Sequence, residues 1–168
     1  MPHPLVDQFH FTRAEWRRGL EGISEEDGAL HFGPMNCISW TVGHLAWHEQ
    51  RYWLQRGQGK ILFPVLNELY AYGAPMSTPS FMEMLAMWSK VTEEATPFLD
   101  ALTTQSLQEE LLNKGRVVGQ TVGSALHRVT YHYWYHIGEI QAIRQMVGHA
   151  NLPEYVGDIE DLAPYRPE

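Results

Sequence analysis

From Val122 to Val147, apolar residues return every three or four positions, a period that an α-helix can bury along one face. The stripe runs through Val122, Leu126, Val129, Tyr133, His136, Ile140, Ile143 and Val147, in a helix expected to start near Gly119–Val122 and end at Gly148. Three further segments carry the same period. Leu5, Phe9, Trp16, Leu20 and Ile23 share one face of a first helix, with Arg13, Arg17 and Arg18 on its solvated side. A second helix runs to about Arg56, capped by Asn36 or Ser39 and stopped by Gly57. A third carries Phe81, Leu85, Trp88, Ala95, Leu99 and Leu102, opening at Thr78-Pro79 with Ser80 and Glu83 as a capping box, and Pro97 should kink or split it.

Between the second and third helices, residues 57–77 read as a long connection, of a length that often covers a functional site. Residues 103–120 suggest a short helix around Leu107–Leu112 and then a glycine-containing loop, with no β-alternating run of note. The tail from Asn151 is rich in proline and acidic residues and is expected to lie on the surface or pack loosely. Four long helices and one extended crossover predict an all-α, four-helix bundle forming one domain over residues 1–168. That length supports a core without disulfide staples. The single cysteine, Cys37, excludes an intramolecular disulfide and a cysteine-based zinc cage.

A net charge of −8 argues against a polyphosphate partner, and no basic patch overrides it. No signal peptide and no membrane span are visible, so a cytoplasmic protein is expected. Nine histidines are the oddity of the composition, and their spacing matters. His132 and His136 stand four apart in the last helix, which turns both rings to one side. His44 and His48 repeat that spacing in the second helix, with Trp40, His44 and Trp47 on one face. A buried imidazole needs a partner for each nitrogen, and bundles build metal sites from side chains on facing helices. Imidazoles suit zinc, nickel, copper or iron(II). On the residues alone, the two pairs allow either three ligands plus solvent or a four-histidine site.

The segments N-C-I-S-W-T-V-G-H-L-A-W-H-E (36–49) and H-R-V-T-Y-H-Y-W-Y-H-I-G-E-I-Q-A-I-R-Q-M-V-G (127–148) resemble the DinB-like family of metalloproteins. The resemblance implies a four-helix bundle, often dimeric. It implies one metal ligand from a G-H-L motif on the second helix and two from an H-x-x-x-H-x-G-[EQ] motif on the last. Carried onto this chain, the ligands are His44, His132 and His136, with Gly138-Glu139 matching the step that follows them. The family implies thiol S-transfer, thiol-dependent isomerisation, or no assigned reaction, and its damage-inducible name does not imply DNA binding. The expected cofactor is one divalent ion: zinc, nickel or iron. The expected partners are a small-molecule substrate, such as a low-molecular-weight thiol, and a second copy of the chain.

Around the triad, His48 reads as an outer partner or a surface ring ahead of a fourth ligand. His127 lies on another face and is expected to be hydrogen-bonded there. His3, His10, His31 and His149 have no partner at metal spacing. Glu139 returns to nearly the face of His132 two turns on, and so could orient a ligand, act as a general base, or simply be solvated. Cys37 reads as a small core residue, and the tyrosines around His132 as packing. Two functions stay open: a metal-dependent enzyme of thiol-transferase or hydrolase type, and a metal-holding binding or scaffold protein without turnover.

Overall fold

The computed structural model describes residues 1–167. Its elements in chain order are α1 (Pro4–Leu20), α2 (Glu25–Ala29), α3 (Ile38–Glu49) continuing as a π-helical segment (Gln50–Arg56), α4 (Pro64–Leu69), and α5 (Phe81–Asp100). A 3₁₀ turn (Ser106–Gln108), strands β1 (Glu110–Asn113) and β2 (Arg116–Thr121), α6 (Val122–Val147) and α7 (Ile159–Leu162) follow. The chain is all-α apart from one small two-stranded sheet. Its backbone contacts group into two compact units.

The first unit comprises Met1–Gly22, Leu99–Glu109 and the chain from Thr121 on, and its core is the pairing of α1 with α6. Pro4 opens α1, where its missing N–H costs nothing, and the His3 ring accepts from the Leu5 amide. Thr121 caps α6 by accepting from the Ser124 amide, and Gly148 closes it in the left-handed conformation at φ 89°. Phe9 and Trp16 meet Tyr133 edge-on at 5.9 and 5.7 Å, and all three rings are buried. Arg13, expected on the solvated face, is buried as well: its guanidinium lies 4.7 Å over the Phe9 ring.

The tail lies on the surface as expected, its residues mostly exposed with Ala163 buried, and specific bonds fasten it there. Gln8 Nε2 donates to the Ala163 carbonyl at 2.6 Å, and Arg18, paired with the buried Glu15, donates to the Glu154 carbonyl at 2.8 Å. Tyr155 stands edge-on to Trp134, with its hydroxyl so close to Gly19 that a Cβ there would come within 2.3 Å of it. Only glycine permits that approach.

The second unit comprises Ile23–Phe98 and Glu110–Gln120. Every residue of α3 is buried, so it reads as a core helix rather than an amphipathic one. Gly43 on α3 accommodates Met84 and Tyr70, and Gly57 accommodates Phe98. Neither Asn36 nor Ser39 caps α3. Cys37 occupies the cap position without a side-chain capping bond, its thiol donating to the Ser77 carbonyl, and the Ser39 hydroxyl donates to the Gly28 carbonyl at 2.7 Å. The α5 start is capped by Ser80, which accepts from the Glu83 amide, and by Glu25 of α2, which accepts from the amides of Phe81 and Met82. Pro97 lies inside α5 without splitting it.

Residues 57–77 are not a bare connection, since α4 forms within them. Gln50, fully buried in the π-helical segment, accepts from the Leu62 and Phe63 amides and donates to the Phe63 carbonyl at 2.7 to 3.0 Å. The expected short helix around Leu107–Leu112 is confined to the 3₁₀ turn at Ser106–Gln108, and a β-hairpin follows it. Lys114 and Gly115, at φ 50° and 76°, make its two-residue turn. Strand β1 buries only Leu111, too short an alternation to stand out in sequence. Among the described residues no helix is long and apolar enough to cross a membrane.

Candidate metal centre

The helical spacing of His132 and His136 places their rings against each other, with centroids 4.5 Å apart and Nε2 atoms at 3.0 Å. His136 is buried, as its place in the apolar stripe of α6 requires. One turn on, the Glu139 carboxylate lies 2.5 Å from His136 Nδ1. An ionised carboxylate can only accept, so Nδ1 of His136 is the donor in this bond. Tyr135 meets the His136 ring edge-on at 4.9 Å. A hydrogen bond to Glu139, reinforced by its charge, holds the Tyr135 phenol above its ordinary titration range.

In the second unit, His44 is buried between Trp40, stacked at 5.1 Å, and Trp47, tilted at 5.3 Å. Its Nδ1–H donates to the Tyr70 carbonyl at 2.7 Å, where the chain leaves α4. A peptide oxygen accepts only, so this ring is left with Nε2 unprotonated. His48 is buried rather than on the surface; it packs on Tyr52 at 5.0 Å, with its ring 6.0 Å from that of His44.

Both arrangements have the form expected of imidazole ligands, in which one nitrogen is anchored to a protein acceptor and the other is left to donate. The sequence model of the DinB superfamily matches residues 8–140, a stretch that contains both histidine pairs and Glu139. The chain belongs to the DinB superfamily. No curated protein matches it. The helical-bundle fold of the DinB superfamily agrees with the four long helices found here, α1, α3, α5 and α6. DinB membership and the paired rings of His132 and His136 fit metal binding.

The remaining candidates take other roles. His127 is exposed and stacks on Tyr131 at 5.9 Å, in place of the expected hydrogen bond. His3 caps α1, His10 pairs with Asp100 at 2.7 Å, His31 bridges the Met35 carbonyl and Thr78, and His149 accepts from Arg144. Cys37 is a buried core residue whose thiol is pushed up by burial. Sequence reasoning did not reach the Tyr70 carbonyl or Gln50. A backbone acceptor has no side-chain signature, and a glutamine inside an apolar helix announces only that some partner exists.

Proposed function

We propose that the protein is a metal-dependent enzyme acting on small molecules, of thiol S-transferase or hydrolase type, with one divalent ion held by His44, His132 and His136. One observation carries this reading: the His132 and His136 rings on α6 meet with Nε2 atoms 3.0 Å apart, and the G-H-L motif that contains His44 falls within the same DinB superfamily match. Two of the rings, His44 and His136, have Nδ1 anchored, which leaves Nε2 as the donor. Three neutral ligands leave coordination positions open, as in catalytic rather than structural sites. Zinc, nickel or iron suits such a set, and when bound it supplies Lewis acidity toward a water or a thiol near neutral pH. The chain's own part is to hold the ligand rings in one tautomer and to bury them among aromatic side chains. Trp40 and Trp47 flank His44, and Tyr135 flanks His136.

The proposed substrate is a small molecule, with a low-molecular-weight thiol as one reactant. A homodimer is proposed for the assembly, supported by Tyr131 and Tyr135, which stand 66% and 63% exposed on α6. Sedimentation across a concentration series checks it, and a concentration-independent monomer would defeat it.

Elemental analysis of the purified protein, followed by a thiol-transfer and hydrolysis screen with that metal restored, tests the function. About one ion per chain is expected, with activity lost on chelation and regained on reloading. Chelated protein that turns over substrate as fast as the loaded form overturns the proposal.

A further inference from the structure

We infer that Glu139 is a positioning residue, whose carboxylate holds His136 as the Nδ1–H tautomer and so keeps Nε2 unprotonated for the ion. The inference rests on the metal reading above. Its basis is the 2.5 Å contact from His136 Nδ1 to Glu139 Oε2, a charge-assisted bond within one helical turn. Residues three apart on a helix are neighbours by backbone geometry, so this bond forms with or without an ion. The other anchored ring differs in kind: His44 gives its Nδ1–H to a neutral peptide carbonyl. Glu139 therefore brings an anionic acceptor to His136, which increases electron donation from its Nε2.

A second contact supports the assignment. Glu139 also engages Tyr135, whose ring meets His136 edge-on at 4.9 Å, so one carboxylate restrains the ligand and the ring beside it. A general base must be free to take up a proton. This carboxylate is already engaged as the acceptor for His136 Nδ1.

The test has two readouts that do not depend on turnover. In metal-free protein labelled with ¹⁵N-histidine, the His136 tautomer is read by long-range ¹H–¹⁵N spectra. Zinc affinity is measured by competition with a chromophoric chelator for wild type, Glu139→Gln and Glu139→Ala. Wild-type His136 should carry its proton on Nδ1. Glu139→Ala should lose that preference and bind zinc about 10- to 100-fold more weakly, with its helical circular dichroism unchanged. Glu139→Gln, whose side-chain oxygen still accepts from Nδ1–H, should keep the tautomer and recover part of the affinity.

Unchanged tautomer and affinity in Glu139→Ala would overturn the inference and leave the metal reading standing. Full zinc affinity in Glu139→Gln, together with a rate loss of about 10²- to 10⁴-fold, would overturn it in favour of a general base. A wild-type protein that takes up no zinc, though its His136 is the Nδ1–H tautomer, would defeat the metal reading, and the inference with it.

Discussion

Two histidine pairs with the same four-residue spacing have different surroundings. In α6 the rings of His132 and His136 meet, with Nε2 atoms 3.0 Å apart, and the anchor for Nδ1 comes from three residues along the same helix. In α3 the rings of His44 and His48 stand 6.0 Å apart. There the Nδ1 anchor of His44 is a carbonyl 26 residues away, while His48 turns to Tyr52. Equal spacing makes rings neighbours without giving them equal roles. What sets the role is the group that binds the far nitrogen. That group is local to the helix in one case and brought by the fold in the other.

The largest expected effect would break or uphold this distinction directly. His136→Ala should lower bound metal from stoichiometric to undetectable by elemental analysis, whereas His127→Ala, from the exposed side of α6, should leave it unchanged. Next comes His48, the member of the α3 pair assigned no coordinating role. His48→Ala should keep about one ion per chain but cost on the order of 2 kcal/mol in denaturant unfolding, since it empties a buried position beside Trp47 and Tyr52. Metal lost in proportion to His48 would make the two pairs alike and the site a four-histidine one.

Gln50→Ala sharpens the comparison from the other side. Its amide makes three hydrogen bonds to the backbone of Leu62 and Phe63, just before α4 and the carbonyl that anchors His44. Its loss should cost about 1–3 kcal/mol and raise amide exchange through 62–70. The His44 tautomer should become mixed, and that of His136 should not. An undisturbed His44 would mean that its anchor does not depend on the tether.

The smallest effect concerns another long-range acceptor, Glu25, which caps α5 from 56 positions away. Hydrogen bonds from Ser80 and from the Met82 and Phe81 amides hold its carboxyl below its ordinary value of 4.5. Because the folded value is the lower one, the stabilisation is present above pH 4.5 and is lost as pH falls through the folded value. Glu25→Gln should therefore flatten the decline in stability below that pH, measured by thermal melts. An unchanged slope would place the acid sensitivity elsewhere.

The long helices were legible because each repeats one signal over several turns. The α6 stripe and its flanking glycines place the start near Gly119–Val122 and the end at Gly148, and the helix runs Val122–Val147. The hairpin was not legible, because β1 buries a single side chain and its turn rests on the positive φ of Lys114 and Gly115. Arg13 was misread, and the bonds that fasten the surface tail were not visible, for a shared reason. Composition describes solvation in isolation, whereas the burial of Arg13 follows from its place over Phe9, and the docking of the tail from the Gln8 and Arg18 bonds to its carbonyls.

By itself, then, the sequence determined the all-α class, the order of the long helices, and the convergence of His132, His136 and Glu139, which backbone pitch alone brings onto neighbouring turns. Tertiary structure alone decided that the Tyr70 carbonyl anchors His44, that Gln50 tethers the chain ahead of α4, and that His48 is buried against Tyr52. The physical reason is range. Contacts within a helical turn follow from residue spacing, but a peptide carbonyl 26 residues away can be reached only after the intervening chain has folded back.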